Sequence, residues 1–162
     1  MNRFCIITNS GKDANDKMAE HIVSYLQQKG CECLILENKR WQAGGISHFT
    51  NAAQIPQEVE CAIVLGGDGT MIQAAVDLVH RDLPIFGVNT GTLGFLATVE
   101  QNRIDDSLDR LLGGEYIVES RMMLKEGKMF LGEDSRSSCY ALNDMVISKR
   151  GDCRLITLKV YV

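Results

Sequence analysis

The sequence lacks the long apolar segments that a membrane protein needs. No apolar run reaches the roughly 18 residues of a membrane-spanning helix, and the N-terminus begins with a strand-like pattern where a signal peptide would have its apolar core. We therefore expect a cytoplasmic protein with no membrane partner.

Concentrated positive charge is also missing. Among 162 residues, 17 are Lys or Arg and 21 are Asp or Glu, which gives a formal net charge of −4. A protein that binds nucleic acid usually carries a basic patch or stripe. The charge balance disfavours a nucleic-acid partner, and we expect none.

The six cysteines lack the spacing of a metal site. No C-x-x-C pair occurs, and none of the three histidines is paired with a cysteine at ligand spacing. Most of the cysteines lie within apolar runs, as buried free thiols commonly do. We therefore expect buried reduced thiols and no metal centre built from protein ligands alone.

Three common nucleotide-binding and hydrolase motifs are absent. The glycines at 66–69 and 91–94 do not fit the Rossmann pattern G-x-G-x-x-G, and residues 45–49 have the wrong spacing for a G-x-S-x-G nucleophile elbow. The sequence at 11–13 lacks the upstream glycine and the hydroxyl residue of a P-loop. The familiar nucleotide-binding folds are thus not indicated by motif.

The most distinctive stretch is Leu65-Gly66-Gly67-Asp68-Gly69-Thr70. It follows the apolar run 61–65, which predicts a strand buried on both faces. It precedes a helical pattern over Thr70–His80, whose N-terminus would offer unpaired N–H groups to a phosphate. Asp68 is placed to take a proton from an attacking hydroxyl or to hold a divalent cation. A strand–glycine–helix turn is equally often only a tight turn, so the rest of the chain must decide.

Alternating strand and helix patterns predict an α/β fold, with a mainly parallel sheet in a three-layer domain. One of the helices is predicted to be capped by Asn15 or Asp16 and closed by Gly30. The connection 37–57 is longer than an ordinary loop, so it either covers the site or contains a weak helix. The remaining predicted elements are strands at Arg3–Thr8, Glu32–Leu36 and Pro84–Val88 and a helix that ends at Gly113-Gly114.

A second glycine-rich stretch, residues 89–95, follows the strand at Pro84–Val88 and reads Asn-Thr-Gly-Thr-Leu-Gly-Phe. Ligands of parallel sheets bind at the carboxyl ends of the strands. We therefore expect this stretch and the turn around Asp68 to form two walls of one pocket. Phe95 either stacks on a base or packs in the core.

The pattern changes to an all-β one after the last helix. We place a domain boundary there, with an α/β domain over 1–114 and a partial antiparallel β domain over 115–162. A hairpin is predicted between 121–124 and 129–131, followed by strands over 140–148 and 155–162. Because the last strand is apolar and has nothing after it to pair with, we expect the chain to be an N-terminal fragment of a longer protein.

Four segments stand out together: 66–70 (GGDGT), 87–96 (GVNTGTLGFL), 121–124 (RMML) and 141–147 (ALNDMVI). In their order and close to their spacing they resemble the NAD kinase family. The resemblance spans most of the chain from about Cys61 onward. The segment 87–96 separates it from the lipid kinases, which share GGDGT.

The resemblance implies transfer of a phosphoryl group from ATP or inorganic polyphosphate to the adenosine 2′-hydroxyl of NAD, with Mg²⁺ or another divalent cation. It implies that Asp68 is the general base, with Gly67, Gly69 and Thr70 beside it at the helix start. Nucleotide contacts are implied at Asn89 and, for the adenine, at Phe95.

The resemblance also extends to the β portion. Asn143 and Asp144 match an Asn-Glu pair that contacts the ribose hydroxyls, and here the second member is one methylene shorter. Arg150 either meets a pyrophosphate or belongs to a solvated turn. Arg121 is as suited to an interdomain ion pair as to a ligand. The family's further Gly- and Thr/Ser-rich motif is not found in this chain, which leaves the activity of the chain alone open.

We expect a homo-oligomer, a dimer or a tetramer, for the full-length protein. Two other functions stay open at this point. One is a lipid or sugar kinase that shares the GGDGT turn, and the other is a nucleotide-binding fragment without catalysis.

Overall fold

Five parallel strands form the central sheet in a computed structural model that describes residues 1–8, 13–37, 41–43, 46–91, 94–97, 99–125, 139–146, 157 and 159. The strand order is β2-β1-β5-β6-β7, which is the order of a flavodoxin-like doubly wound sheet. These strands are β1 (Arg3–Thr8), β2 (Glu32–Glu37), β5 (Cys61–Leu65), β6 (Ile85–Asn89) and β7 (Val99–Glu100); two short strands, β3 (Trp41–Ala43) and β4 (Ile46–His48), lie between β2 and β5 in the chain.

Both faces of this sheet are buried, as its continuous apolar strands require. In β1, Phe4 and Ile6 face a core that includes helices α1 (Asp13–Gln28) and α3 (Ile104–Leu112). Cys5 and Ile7 point to the other face, where helix α2 (Asp68–Asp77) packs. Side chains of a strand alternate between faces, so one short sequence supplies both cores. The predicted three-layer α/β fold is therefore confirmed.

The predicted helices are present, with shifted ends. Helix α1 begins at Asp13, so Asn15 and Asp16 lie in its first turn and do not precede it. Gly30 follows α1 with a φ of 81°, as a helix-terminating glycine should. Helix α2 begins at Asp68, two residues before the predicted start, and ends at Asp77. The first turn of α2 thus includes the acidic residue of the glycine turn.

The long connection between β2 and β5 holds a short antiparallel pair, β3 (Trp41–Ala43) with β4 (Ile46–His48), and a single 3₁₀ turn at Ala52–Gln54. It contains no α-helix among the residues that the structure describes. Ile55 and Val59 from this connection pack into the same core as α2. The connection therefore forms part of the layer that covers one face of the sheet.

The β portion is small in the part of the chain that the structure describes. Strand β8 (Leu124–Lys125) pairs antiparallel with β9 (Tyr140–Ala141). The predicted strand over 140–148 is thus wrong for residues 142–146, which lie outside any strand, while 147 and 148 lie outside the described residues. The predicted partner 129–131 and most of 155–162 lie outside the described residues.

Five cysteines, at positions 5, 31, 33, 61 and 139, are free thiols, while Cys153 lies outside the described residues. Burial raises the pKa of the Cys5 thiol to about 11 and that of Cys61 to about 12. Within the described ranges, no helix combines the length and the hydropathy needed to cross a bilayer.

Candidate functional site

The turn around Asp68 lies where the order of strands in the sheet reverses. Strands β1 and β5 are neighbours, but the chain leaves β1 toward β2 on one side and leaves β5 toward β6 on the other. Their connecting helices α1 and α2 pack on opposite faces of the sheet. Such a reversal opens a crevice at the carboxyl ends of the strands, where doubly wound sheets bind their ligands.

Helix α2 begins at this edge without a side chain that caps it. Gly67 is the N-cap residue, and it has no side-chain acceptor for the first N–H groups. The carbonyl of Gly67 accepts hydrogen bonds from the N–H groups of Thr70 and Met71, at 3.0 and 3.1 Å. The N–H groups of the first turn therefore carry the positive end of the helix dipole with no capping side chain in the way.

The carboxylate of Asp68 joins this helix start to the second glycine loop. Its Oδ2 accepts a hydrogen bond from the N–H of Phe95 at 2.8 Å. Its Oδ1 accepts from the N–H groups of Leu96 and Ala97, at 3.0 and 3.4 Å. The predicted neighbourhood of the two loops is thus a direct contact, made by the acidic side chain itself.

These backbone bonds also set the acidity of Asp68. The N–H of Phe95, followed by that of Leu96, favours the charged carboxylate and holds the pKa of Asp68 below its ordinary value. Partial desolvation acts in the opposite direction. At neutral pH the group is therefore a carboxylate, the form that accepts a proton.

Gly94 makes the contact with Asp68 sterically possible. A Cβ placed on Gly94 would lie within 2.7 Å of the carboxylate carbon and both carboxylate oxygens of Asp68. By contrast, a Cβ on Gly91, in the same loop, would meet nothing within 4 Å. Any residue larger than glycine at position 94 would therefore displace the carboxylate.

Two further glycines, Gly66 and Gly87, allow neighbouring residues to pack closely against the backbone behind the site. A Cβ on Gly66 would lie 2.7 Å from the Cβ of Thr70, so the Thr70 side chain packs over a bare backbone. A Cβ on Gly87, in β6, would lie 2.8 Å from the Met71 sulfur and 3.2 Å from the Cα of Ala97. Helix α2 and the second loop therefore both rest on β6 at Gly87.

Asn89 and Phe95 lie in the second loop in different environments. Asn89 is buried, and its Oδ1 accepts a hydrogen bond from the N–H of Gly91 at 2.8 Å. In this structure Asn89 shapes the loop. Phe95 is 93% exposed, so its ring does not pack in the core. An exposed aromatic face at the carboxyl edge of a sheet is open to stacking.

The remaining predicted site residues belong to the β portion. Strand β9 packs near the far end of α2, where the rings of Tyr140 and His80 meet edge to face at 5.3 Å. Asn143 and Asp144 are exposed, and no hydrogen bond among the described residues joins them to either glycine loop. Arg150 lies outside the described residues.

The described residues show neither a cluster of metal ligands nor, at the Asp68 edge of the sheet, the cavity lined by Arg3 and Glu32. No group of three or more His, Cys, Asp or Glu side chains is arranged to hold a metal ion in the part of the chain that the structure describes. A cavity of about 460 Å³ opens at the amino ends of β1 and β2, where Arg3 and Glu32 line it. It therefore lies at the sheet edge opposite to Asp68.

The sequence did not indicate the roles of Gly94 and of the backbone N–H groups of 95–97. The glycine directly before Phe95 is visible in the sequence, but Asp68, whose carboxylate contacts this segment, is 27 residues away from Phe95. Sequence spacing carries no sign of that contact.

Comparisons with known proteins match the chain to NAD kinases. The family described as ATP-NAD kinase N-terminal domain matches residues 4–116. An NAD kinase of Lachnospira eligens is 38% identical over the whole chain, which covers 55% of that protein. An NAD kinase of Lachnoclostridium phytofermentans is 40% identical, also over the whole chain, with 56% of that protein covered.

One solved structure shares the fold. A crystal structure of yeast NADH kinase complexed with NADH superposes with a TM-score of 0.51 at 14% identity, covering 87% of this chain and 46% of that one. The chain thus spans about half the length of the relatives that it matches.

Proposed function

The chain belongs to the NAD kinase family, and from this we propose that it forms the α/β part of an enzyme that phosphorylates the adenosine 2′-hydroxyl of NAD to give NADP. The phosphoryl donor in this proposal is ATP or inorganic polyphosphate. The observation that carries the proposal is the Asp68 carboxylate, held between two glycine loops at the carboxyl edge of the sheet.

In the proposed reaction Asp68 is the general base. The O–H bond of the acceptor hydroxyl breaks as its proton passes to the carboxylate, and the hydroxyl oxygen forms a bond to the terminal phosphorus of the donor. The bond from that phosphorus to its leaving oxygen breaks, and the leaving group keeps the electron pair. Positioning and charge stabilisation dominate phosphoryl transfer, so a carboxylate of low basicity is sufficient.

We assign the phosphate groups to the start of α2. Gly67, Gly69 and Thr70 bring backbone N–H groups close to a ligand because the glycines have no Cβ. The exposed ring of Phe95 is assigned to the adenine, and Asn89 acts by shaping the loop that presents it. Asn143 and Asp144 are assigned to the ribose hydroxyls and Arg150 to a pyrophosphate.

A divalent cation fits this site only as a companion of the phosphates. The described residues offer no cage of several carboxylates, whereas Mg²⁺ is commonly held by one or two carboxylates together with substrate phosphates. Because Asp68 is assigned as the base and its remaining lone pair faces the acceptor hydroxyl, the phosphates of the substrates would hold the cation. The cation would neutralise charge on the phosphates.

We also propose the domain division 1–114 and 115–162, a cytoplasmic location, and a homo-oligomeric full-length protein. Helix α3 ends at Leu112, and residues 113–123 have no regular structure before β8. This change supports the division near position 114.

The test is formation of NADP by the purified full-length protein from NAD, ATP and Mg²⁺, with polyphosphate as a second donor. Asp68→Asn should lower kcat by about 10²- to 10⁴-fold, the usual contribution of a general base, and should change the dissociation constant for NAD little. The matched control is Asp106→Asn, which alters an exposed carboxylate in the first turn of α3.

Retained turnover in Asp68→Asn would remove Asp68 from the base role. Phosphorylation of a lipid or a sugar in place of NAD would indicate that the protein is instead a lipid or sugar kinase that shares the GGDGT turn. Binding of nucleotide without any turnover would indicate a non-catalytic protein.

A further inference from the structure

The two carboxylate oxygens of Asp68 have different numbers of hydrogen-bond partners. A carboxylate offers about two lone-pair positions on each oxygen. Oδ1 accepts from two backbone N–H groups, those of Leu96 and Ala97, which are half-buried and buried. Among the residues that the structure describes, Oδ2 accepts only from Phe95, which is exposed. Oδ1 is therefore fully used, while Oδ2 keeps one lone pair on the exposed side.

We propose that these oxygens have separate roles, with Oδ1 fixing the second glycine loop and Oδ2 receiving the proton of the acceptor hydroxyl, and that Gly94 is the positioning residue that permits both. This assignment rests on the proposed function and deepens it, because it names the reacting atom and the residue that holds it in place. The base would then need no rearrangement before it acts.

Proton uptake at Oδ2 has a local consequence for Phe95. The proton leaves the acceptor hydroxyl and binds the free lone pair of Oδ2, and a protonated oxygen accepts a hydrogen bond less well than a carboxylate oxygen does. The bond from the Phe95 N–H weakens, whereas the two bonds to Oδ1 remain. The backbone of Phe95 therefore reports the protonation of Asp68.

Gly94 is a positioning residue because of its distance to the carboxylate. Gly94→Ala would place a methyl group within 2.7 Å of the three carboxylate atoms. The carboxylate must then move away from the N–H groups of Leu96 and Ala97. Gly91→Ala is the matched control, because a Cβ there meets nothing within 4 Å.

The inference can be tested on the 162-residue chain without substrate. Backbone amide shifts and hydrogen exchange of residues 95–97 are measured by NMR between about pH 6 and pH 2.5, a window that contains the ordinary pKa of an aspartate. In the wild type, the Phe95 amide should shift most as Asp68 takes up a proton. In Gly94→Ala, the Asp68 titration should move up toward the ordinary aspartate range, while Gly91→Ala should keep the wild-type titration.

Asp68→Asn gives a second measurement that does not depend on the stability of a Gly94 variant. In this variant the side-chain amide oxygen should take the place of Oδ1, where it can accept from the two N–H groups of Leu96 and Ala97. The side-chain NH₂ group then takes the place of Oδ2 and cannot accept from the N–H of Phe95. Exchange at the Phe95 amide should accelerate about tenfold, the effect of losing one hydrogen bond. Exchange at the other two amides should stay within about threefold of wild type.

Equal acceleration at all three amides in Asp68→Asn, or a wild-type Asp68 titration in Gly94→Ala, would overturn the inference. Failure of the proposed function looks different, since the NMR pattern would be as expected while the full-length protein made no NADP. With both intact, Gly94→Ala in the full-length protein should lower kcat at least about tenfold and change KM less.

Discussion

Removing the Asp77 side chain should destabilise the protein strongly. Asp77 is the last residue of α2, and its side chain is fully buried. Its Oδ2 accepts hydrogen bonds from the N–H groups of Phe49 and Thr50, at 2.9 and 2.8 Å. Its Oδ1 lies 2.8 Å from His48 Nδ1 and 3.0 Å from Gln73 Nε2. A single carboxylate thus attaches the end of β4 to the helix.

The magnitude follows from the donors that Asp77→Ala would leave behind. Two backbone N–H groups lose a charged acceptor, and each such loss at a buried site costs about 1–3 kcal/mol. The better helix propensity of alanine and its neutrality at a helix C-terminus return about 0.5–1 kcal/mol. We expect the free energy of unfolding to fall by about 1–5 kcal/mol, a range that overlaps the cost of breaking a buried charge network.

Asp77→Asn should cost much less, about 1 kcal/mol or below. The asparagine oxygen can face the two backbone N–H groups. Its NH₂ group then faces His48 and Gln73, and both can present an acceptor, one by a change of tautomer and the other by rotation of its amide. The comparison of the two variants separates the stability that comes from the hydrogen bonds to the backbone N–H groups from the stability that comes from the negative charge.

The assay is urea unfolding followed by circular dichroism, with hydrogen exchange at residues 48–50 as a local probe. The control is Asp82→Ala, an exposed position next to the helix, which should stay within about 0.5 kcal/mol of wild type. If Asp77→Ala were no more destabilising than Asp82→Ala, or no more than Asp77→Asn, the assigned role of the buried carboxylate would be refuted.

Three further outcomes are expected. Gly87→Ala should lower the free energy of unfolding by about 1–3 kcal/mol, because the new methyl group overlaps the Met71 side chain; a gain in stability in thermal unfolding would contradict this. Arg81→Ala should speed proteolysis within 52–56, since its guanidinium donates to three carbonyls of that segment; an unchanged cleavage rate would reject it. Burial raises the pKa of Cys61 to about 12 from 9.0. The unfolded thiol therefore ionises first, stability should fall as pH rises above about 9 by up to about 1.4 kcal/mol per pH unit, and Cys61→Ala should show a shallower fall.

Four of the five strands of the central sheet were predictable because each of them is a short, continuous apolar run, whereas the two-residue strand β7 was not predicted. The residues of β1 and β5 match their predicted bounds, since burial on both faces leaves no other use for such runs. The start of α2 was predicted two residues late, at Thr70, because glycines and an aspartate are poor helix formers. In the folded protein the Asp68 carboxylate makes bonds to a distant loop that offset this weak propensity.

The missed features depend on contacts that are distant in the chain. The pair β3–β4 lies in a stretch that reads as a polar loop, and it is attached to α2 by Asp77. Likewise, Gly94 has no local reason to be glycine, because the group it makes room for belongs to α2. Periodicity and propensity describe neighbours along the chain, so they cannot indicate such pairs.

Helix α2 carries an anchoring carboxylate at each end, Asp68 at its first residue and Asp77 at its last. Each reaches backbone N–H groups 27 to 29 residues away, Asp77 toward the earlier part of the chain and Asp68 toward the later part. Because α2 is bonded to a separate segment at each end, loss of the helix would release both segments at once. Residues 48–50 and 95–97, which share no sequence neighbourhood, should therefore belong to one cooperative unfolding unit with a common opening free energy.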